Sequence, residues 1–205
     1  MSSHDPTKDF YEKQVNAYLQ NTKDLAPLNW INAFAETLPK GGRILDVGCA
    51  FGRDSKIFAE KGFKVLGIDY SSAMIKRARE SVPEIEFRVE DVRTLDEQDA
   101  SFDGVWMNAV LVHIEKQDIQ GVFAGIRRIL KRGGILCASF KVGTGEGLSK
   151  DERYEGAEKF WSYFSQIEMK NFAASTGFEL VTMMKQEHPS AYIDKEMLCF
   201  IARKA

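Results

Sequence analysis

An α/β fold, a parallel sheet with helices on both faces, is the prediction for this chain of 205 residues, and three observations carry it. Apolar strand-like runs alternate with amphipathic helix-like ones from residue 43 to residue 140, the rhythm of a parallel sheet built from crossover units. The first run, Ile44-Leu45-Asp46-Val47-Gly48-Cys49-Ala50-Phe51-Gly52, breaks into glycines and opens a helix at Arg53-Asp54-Ser55. Such a turn brings bare backbone N–H groups and a positive helix end against a ligand. The second run, Lys64-Val65-Leu66-Gly67-Ile68-Asp69, ends in a carboxylate, about 20 residues beyond the first glycine, where a nucleotide fold places the acid that binds ribose hydroxyls.

Ahead of the sheet, Phe10, Val15, Tyr18 and Leu19 share one side of a helix expected over 5–20, and Trp30, Ile31, Phe34 and Leu38 one side of a second over 27–38. Residues 1–38 therefore read as an N-terminal helical cap. Strands are expected at 43–49, 64–69, 85–90, 102–108 and 135–140, with helices at 53–60, 73–81 and 119–130. The stretch 142–154 carries Gly143, Gly145, Gly147, Lys150, Asp151, Glu152 and Arg153 and predicts a long loop. Taken as 141–164, it leaves the C-terminal end of the fifth strand, where open α/β sheets bind ligands, and is expected to form the substrate side. Its aromatic groups, Tyr154, Phe160, Trp161 and Tyr163, would suit an apolar or cationic small molecule, or else anchor the loop. A helix over 166–175 and strands at 178–184 and 197–202, joined by a polar connection through His188 and Pro189, complete the chain as an antiparallel hairpin at the sheet edge.

The length fits a single domain over 1–205. Hydrophobic residues make up 44% and charged residues 28% of the chain, with a net charge of −2, so no general attraction to nucleic acid or an anionic membrane is expected. Cys49, Cys137 and Cys199 fall inside apolar runs and read as small buried residues of a reducing compartment. Together with His4, His113 and His188 they show no metal-ligand spacing, and no metal is expected. The opening stretch 1–9 is polar and acidic, and no apolar run reaches the roughly 18 residues of a membrane span. The expectation is a cytoplasmic protein, monomer or homodimer, without nucleic-acid or membrane partners.

A nicotinamide site is disfavoured, because Gly48-Cys49-Ala50-Phe51-Gly52 has no third glycine at the offset a dinucleotide fingerprint requires. Other markers follow in order: Asp69; Glu90-Asp91-Val92 ending the third strand; Phe102-Asp103-Gly104-Val105-Trp106-Met107-Asn108; and Leu130-Lys131-Arg132-Gly133-Gly134-Ile135-Leu136 before the fifth strand. With them the chain resembles the class I S-adenosylmethionine-dependent methyltransferases, of the type 11/25 kind, over roughly residues 43 to 140. The ending Gly52-Arg53-Asp54-Ser55 is similar, more weakly, to small-molecule methyltransferases of the tellurite-resistance type. The resemblance implies a Rossmann-like, seven-stranded sheet, mostly parallel with an antiparallel C-terminal strand. The family usually has glycine where Ala50 stands, a departure that narrows the backbone's approach to a ligand.

It further implies S-adenosylmethionine as cofactor, with S-adenosylhomocysteine as product. By position, Gly48, Cys49, Ala50 and Gly52 would line its methionine part, Asp46 would orient its ammonium group, and Arg53 would pair with its carboxylate. Asp69, with Tyr70 and Ser71 beside it, would meet the ribose, the carboxylate accepting from both hydroxyls. Asp91 would receive the adenine amino group, Val92 would offer its N–H to a ring nitrogen, and Asn108 would reach the ammonium group by its backbone carbonyl or side chain. Singly, each has a plainer reading: Asp46 caps the turn, Asp69 caps the helix at Ser71-Ser72, Asp91 is a solvated loop acid, and Arg53 is an exposed pairing group. Together they describe one ligand.

Methyl transfer from a sulfonium is an in-line displacement on an activated donor, so the protein chiefly aligns the nucleophile and excludes water. Where the nucleophile must lose a proton, His113, after the fourth strand, is the candidate base; the plainer reading packs it under the next helix. Tyr11 and Tyr18 would share one face of the first helix, closing over cofactor or acceptor, or else packing the cap on the core. With no basic stripe, the acceptor is expected to be a small molecule. The alternative is a catalytically silent S-adenosylmethionine-binding regulatory subunit.

Overall fold

The computed structural model describes residues 5–185 and 196–205. Along the chain the strands are β1 (Arg43–Val47), β2 (Lys64–Asp69), β3 (Glu86–Val89), β4 (Phe102–Met107), β5 (Leu130–Val142), β6 (Glu146–Asp151), β7 (Ala157–Phe164), β8 (Phe178–Lys185) and β9 (Met197–Lys204). The helices are α1 (Pro6–Lys13), α2 (Val15–Thr22), α3 (Leu28–Glu36), α4 (Arg53–Glu60), α5 (Ser72–Ser81), α6 (Ile119–Ile129) and α7 (Gln166–Ser175). Five parallel strands lie in the order β3-β2-β1-β4-β5. Beyond β5, β9 runs antiparallel to it and β8 pairs with β9. These strands are the Rossmann-like, mostly parallel sheet with an antiparallel C-terminal strand that the resemblance implies.

Successive side chains of a strand point to opposite faces, and the core divides accordingly. On one face Leu45, Val105, Met107, Leu136 and Phe200 pack with α6 and α7. On the other, Ile44, Trp106, Cys137 and Ile201 pack with Trp30 and Phe34 of α3 and Phe58 of α4. The Trp106 ring centroid lies 5.6 Å from that of Phe34 and 5.3 Å from that of Phe58. Buried on both faces, these strands end where the polar residues begin, so the C-terminal ends of β1, β2 and β4 open on one crevice. Among the described residues no helix is long and apolar enough to cross a membrane.

Three expectations change. The helix expected over 5–20 is two helices, broken at Gln14 (φ −102°, ψ 19°). Its first half is fixed by distant partners: Thr7 Oγ1 accepts from the Phe160 N–H at 2.8 Å, and the Glu12 carboxylate caps α5 through the Ser72 and Ala73 N–H groups at 2.7 and 3.1 Å. Helical periodicity encodes neither contact.

The loop expected over 142–154 holds β6, paired antiparallel with β7 from Glu146↔Ser162 to Asp151↔Ala157. Its one large apolar residue, Leu148, is exposed, so no buried alternation marked it. The hairpin joins β5 only at Lys141 and Val142, past Ala138 where the pairing with β4 ends, and so overhangs the crevice. The closing strands are antiparallel as expected, but β9 lies inside the sheet and only β8 forms its edge. The expected connection through His188 and Pro189 lies outside the described residues.

Candidate active site

The β1–α4 turn is built from left-handed residues: Gly48 (φ +65°), Ala50 (φ +49°) and Gly52 (φ +85°). A Cβ on Gly48 would come within 2.5 Å of Val110 Cγ2, so this position must stay bare. Asp69 ties the turn to the end of β2. Its Oδ2 accepts from the Ala50 N–H at 3.1 Å and its Oδ1 from the Ser71 N–H at 2.9 Å. Ser71, not Asp69, caps α5, its Oγ accepting from the Met74 N–H at 3.2 Å. Each Asp69 oxygen keeps a second lone pair. Burial pushes the carboxyl up to about 6, against the pull of the two N–H groups.

Three cavities meet here. The first, open to solvent, spans about 710 Å³ and is lined by Gly48, Ala50, Asp69, Tyr70, Asp91 and Val92, with Tyr11, Tyr18 and His113 also in its lining. Asp91 is half-buried and engaged. It caps a short 3-10 turn through the Arg93 N–H at 2.9 Å, and both its oxygens receive Arg93 Nε at 3.0 Å. Against the cost of burial, the Arg93 bonds hold this carboxyl below the usual carboxylate range, so an adenine amino group would share it with Arg93. Burial pushes the Tyr70 hydroxyl up.

The second cavity, about 380 Å³, is lined by Asp46, Gly48, Cys49, Arg53, Asp54 and Asn108 among others. Asp54, to which the sequence reading gave no role, organises it: it accepts from Arg53 Nε at 2.7 Å, Trp106 Nε1 at 3.1 Å and Asn108 Nδ2 at 3.1 Å. Its one sequence signal was an acid in the first turn of α4, favoured there by the helix dipole. Arg53 is not an exposed pairing group; its Nη1 also donates to the Thr22 carbonyl at 2.8 Å. Asp46 accepts from Ser55 Oγ, and burial, then the nearby Asp54, pushes its carboxyl well up. Burial likewise raises the Cys49 thiol, which is no nucleophile. The Asn108 side chain is spanned between Asp54 and Ser139, which points its backbone carbonyl as the group to meet a ligand. Two acids, a guanidinium and a carbonyl fit the zwitterionic end of an amino acid, and the Asp69 lone pairs fit a diol, so the residues present suit S-adenosylmethionine.

The third cavity, about 690 Å³, lies under the hairpin and includes Tyr11, Tyr18, His113, Lys141, Lys159 and Trp161 in its lining. Tyr18, Asn108 and Ala109 line all three cavities, and Tyr11 and His113 line the first and third. Although on separate helices, Tyr11 and Tyr18 meet edge to face at 5.3 Å. Burial pushes the Tyr18 hydroxyl up to about 12.

His113 Nδ1 lies 2.7 Å from the Phe160 carbonyl and Nε2 lies 3.0 Å from the Tyr11 hydroxyl. A carbonyl only accepts, so Nδ1 carries the proton and Tyr11 donates to Nε2. Burial, then the Lys159 ammonium, pushes the imidazole down to about 3. His113 is thus neutral and a weak base, not one tuned near neutral pH. The Trp161 ring is not open to a cationic ligand, because the Lys141 and Lys159 ammonium groups sit 4.0 and 4.8 Å from its centroid.

Residues 44–134 match the family model described as a methyltransferase domain. Among curated proteins the chain is similar to the 2-methyl-6-phytyl-1,4-hydroquinone methyltransferase of Synechocystis sp., 39% identical over 119 residues that are 53% of this chain and 36% of that protein. The chain spans about a third to a half of the length of the curated relatives it matches. Among solved structures it is similar to an S-adenosylmethionine-dependent methyltransferase from Methanosarcina mazei, with a TM-score of 0.76 and 24% identity, covering 88% of this chain and 98% of that one. It is also similar to the Burkholderia thailandensis 1,6-didemethyltoxoflavin-N1-methyltransferase, solved with 1,6-didemethyltoxoflavin and S-adenosylhomocysteine bound, with a TM-score of 0.75 and 21% identity, covering 96% of this chain and 84% of that one. At these identities the structural likeness shows the fold.

Proposed function

From the match of residues 44–134 to a methyltransferase domain, we propose that this protein is a class I S-adenosylmethionine-dependent methyltransferase that transfers the methyl group of S-adenosylmethionine to a small-molecule acceptor. The observation that carries the reading is the junction at Tyr18, Asn108 and Ala109, where three cavities meet, whose linings suit a diol, an amino acid and an acceptor in turn. Bound across the first two, the cofactor supplies a methyl group on a sulfonium, open to displacement by an acceptor lone pair with the C–S electrons leaving on sulfur.

In this reading Asp69, with Tyr70 and Ser71 beside it, holds the ribose hydroxyls, and Asp91 and Val92 border the adenine. Gly48, Cys49, Ala50 and Gly52 border the methionine chain, whose ammonium group faces Asp46, Asp54 and the Asn108 carbonyl and whose carboxylate faces Arg53. Tyr11, whose O–H donates a hydrogen bond to His113 Nε2, keeps oxygen lone pairs that accept a hydrogen bond from an acceptor's O–H or N–H and fix its direction. His113 holds that hydroxyl, and Tyr18 walls the junction from water. The three buried free cysteines support a cytoplasmic setting for the same activity.

Calorimetry with S-adenosylhomocysteine, followed by a screen of acceptors for its release from S-adenosylmethionine, tests the proposal. Binding with turnover on a small acceptor is expected. Tight NAD binding without S-adenosylhomocysteine binding would overturn it, and binding without turnover on any acceptor would favour the regulatory alternative.

A further inference from the structure

Within the apolar run Ile135-Leu136-Cys137-Ala138-Ser139-Phe140 one residue is polar, and that residue, Ser139, is 1% exposed. A buried hydroxyl needs partners. Both partners of Ser139 belong to the two residues that follow β4: its Oγ accepts from the Ala109 N–H at 2.7 Å and donates to Asn108 Oδ1 at 3.1 Å. The direction of this chain is set from its far end. The Asp54 carboxylate accepts, so Asn108 turns Nδ2 to it at 3.1 Å and keeps Oδ1 for Ser139.

Pairing between β4 and β5 stops at Met107↔Ala138. Ser139 is the next residue of β5, so a side-chain hydroxyl takes over where the backbone ladder ends. What it holds is an unfavourable conformation. Ala109 has φ +57°, a region that is costly for a residue with a side chain and persists only where the surroundings enforce it. One residue on, Val110 packs so closely on Gly48 that a Cβ there would meet its Cγ2 at 2.5 Å. The step from Asn108 to Ala109 is thus gripped between β5 and the β1–α4 turn. Asn108 and Ala109 line all three cavities, whereas Ser139 lines none of them.

Resting on the function proposed above, we propose that Ser139 is a positioning residue for the methyl donor: it fixes the Asn108–Ala109 step so that the Asn108 carbonyl meets the ammonium group of the methionine end. The reason lies in the peptide unit. A trans peptide is planar and its N–H and C=O point in opposite directions, so anchoring the Ala109 N–H on Ser139 aims the Asn108 carbonyl the other way, away from β5. Ser139 touches no ligand and acts through that unit. A carbonyl aimed in advance meets a cation without first being ordered, which a loose one is not spared. Removing the hydroxyl leaves the Ala109 N–H without its acceptor and Asn108 Oδ1 without its donor. The step then relaxes from its left-handed conformation, and the carbonyl turns with it.

The test is calorimetry with two ligands: S-adenosylhomocysteine, and 5′-methylthioadenosine, which keeps the adenosine and the sulfur but has no amino acid. Ser139→Ala should weaken S-adenosylhomocysteine binding at least tenfold, about 1.4 kcal/mol, and leave 5′-methylthioadenosine binding within twofold. Ser139→Cys, whose sulfur fills the space but accepts hydrogen bonds weakly, should show the same selective loss and stands in where the smaller residue does not fold. Equal weakening of both ligands would make Ser139 a brace of the whole sheet and overturn the proposal. So would S-adenosylhomocysteine affinity within twofold of the wild-type value, or loss of the fold in both variants. If neither ligand binds the wild-type protein, the methyltransferase reading falls instead; if both bind and the loss is not selective, only this inference falls.

Discussion

The donor side and the acceptor side of this site are built by different means. On the donor side the backbone does most of the work: left-handed turns at Gly48, Ala50 and Gly52, and N–H groups of Ala50 and Ser71 fastened to Asp69. Its charged side chains are mainly acids. On the acceptor side, side chains from α1, α2, β5 and the β6–β7 hairpin converge from distant parts of the chain, and the charged ones are basic. A binding site made by the ends of adjacent parallel strands follows from the fold itself, whereas one made by appended elements varies with them. On the proposed function, the first would determine which donor is used and the second which acceptor.

Asp69→Ala should break the donor side most. It removes a carboxylate that takes two hydroxyls, each charge-assisted bond worth about 1.5–3 kcal/mol, so S-adenosylhomocysteine affinity should fall on the order of 100-fold or more. It also strips the acceptor from two N–H groups, and the melting temperature should fall. Unchanged affinity in calorimetry would remove Asp69 from the donor site.

The same carboxylate should give the donor side a pH dependence in the acid range. Its folded value, about 6, lies above the roughly 3.9 of an unfolded chain. The folded protein holds that proton more tightly, so this group's contribution to stability is complete below the unfolded value and is lost as pH rises through about 6. Ribose binding runs the other way, because hydroxyl donors need the ionised carboxylate. S-adenosylhomocysteine affinity should fall about tenfold per pH unit below 6, and Asp69→Asn should abolish the slope. An affinity independent of pH across that window would show that the hydroxyls do not rely on the charge.

The two sides also differed in how far they could be read from sequence. The donor side was legible because Gly48, Asp69 and Asn108 each close a strand that buries both faces, continuous apolar runs mark such strands, and Gly52 opens the helix after the first of them. What escaped there was the role of Asp54, quoted only within Gly52-Arg53-Asp54-Ser55, which works through Trp106 and Asn108, more than 50 residues on. On the acceptor side, β6 was unreadable because an exposed strand needs no apolar alternation. The break at Gln14 was unreadable because the contacts of Thr7 and Glu12 that fix α1 are long-range. His113 was placed correctly after β4, but its weak basicity comes first from its burial under the hairpin and then from Lys159, and no local pattern announces either.

Tyr11→Phe approaches the comparison from the acceptor side. It deletes one hydrogen bond at the junction, worth about 1 kcal/mol, and turnover should drop about fivefold to tenfold while S-adenosylhomocysteine affinity stays within twofold. His113→Ala should act in the same direction by releasing the Tyr11 hydroxyl. Because the His113 imidazole is held neutral down to about 3, the turnover of the wild-type protein should show no histidine inflection near pH 6.5. Loss of S-adenosylhomocysteine affinity in Tyr11→Phe would move Tyr11 to the donor side, and an inflection near that pH would restore His113 as a titrating base.

The smallest effect tests whether the donor turn carries strain of its own. Ala50 holds φ +49°, where a side chain is disfavoured by about 1 kcal/mol relative to glycine. Ala50→Gly relieves that conformation while loosening the unfolded chain, which offsets part of the gain. A net stabilisation of about 0.5 kcal/mol is expected, a rise in melting temperature of about 1–2 °C for a chain of this size. The ligand-directed part of Ala50 is its N–H on Asp69, which glycine retains, so S-adenosylhomocysteine affinity should stay within about twofold and the acceptor preference should not change. A lowered melting temperature would mean that the methyl group packs usefully against the turn, and the strain at this position would then be compensated locally instead of being supported by the sheet beneath it.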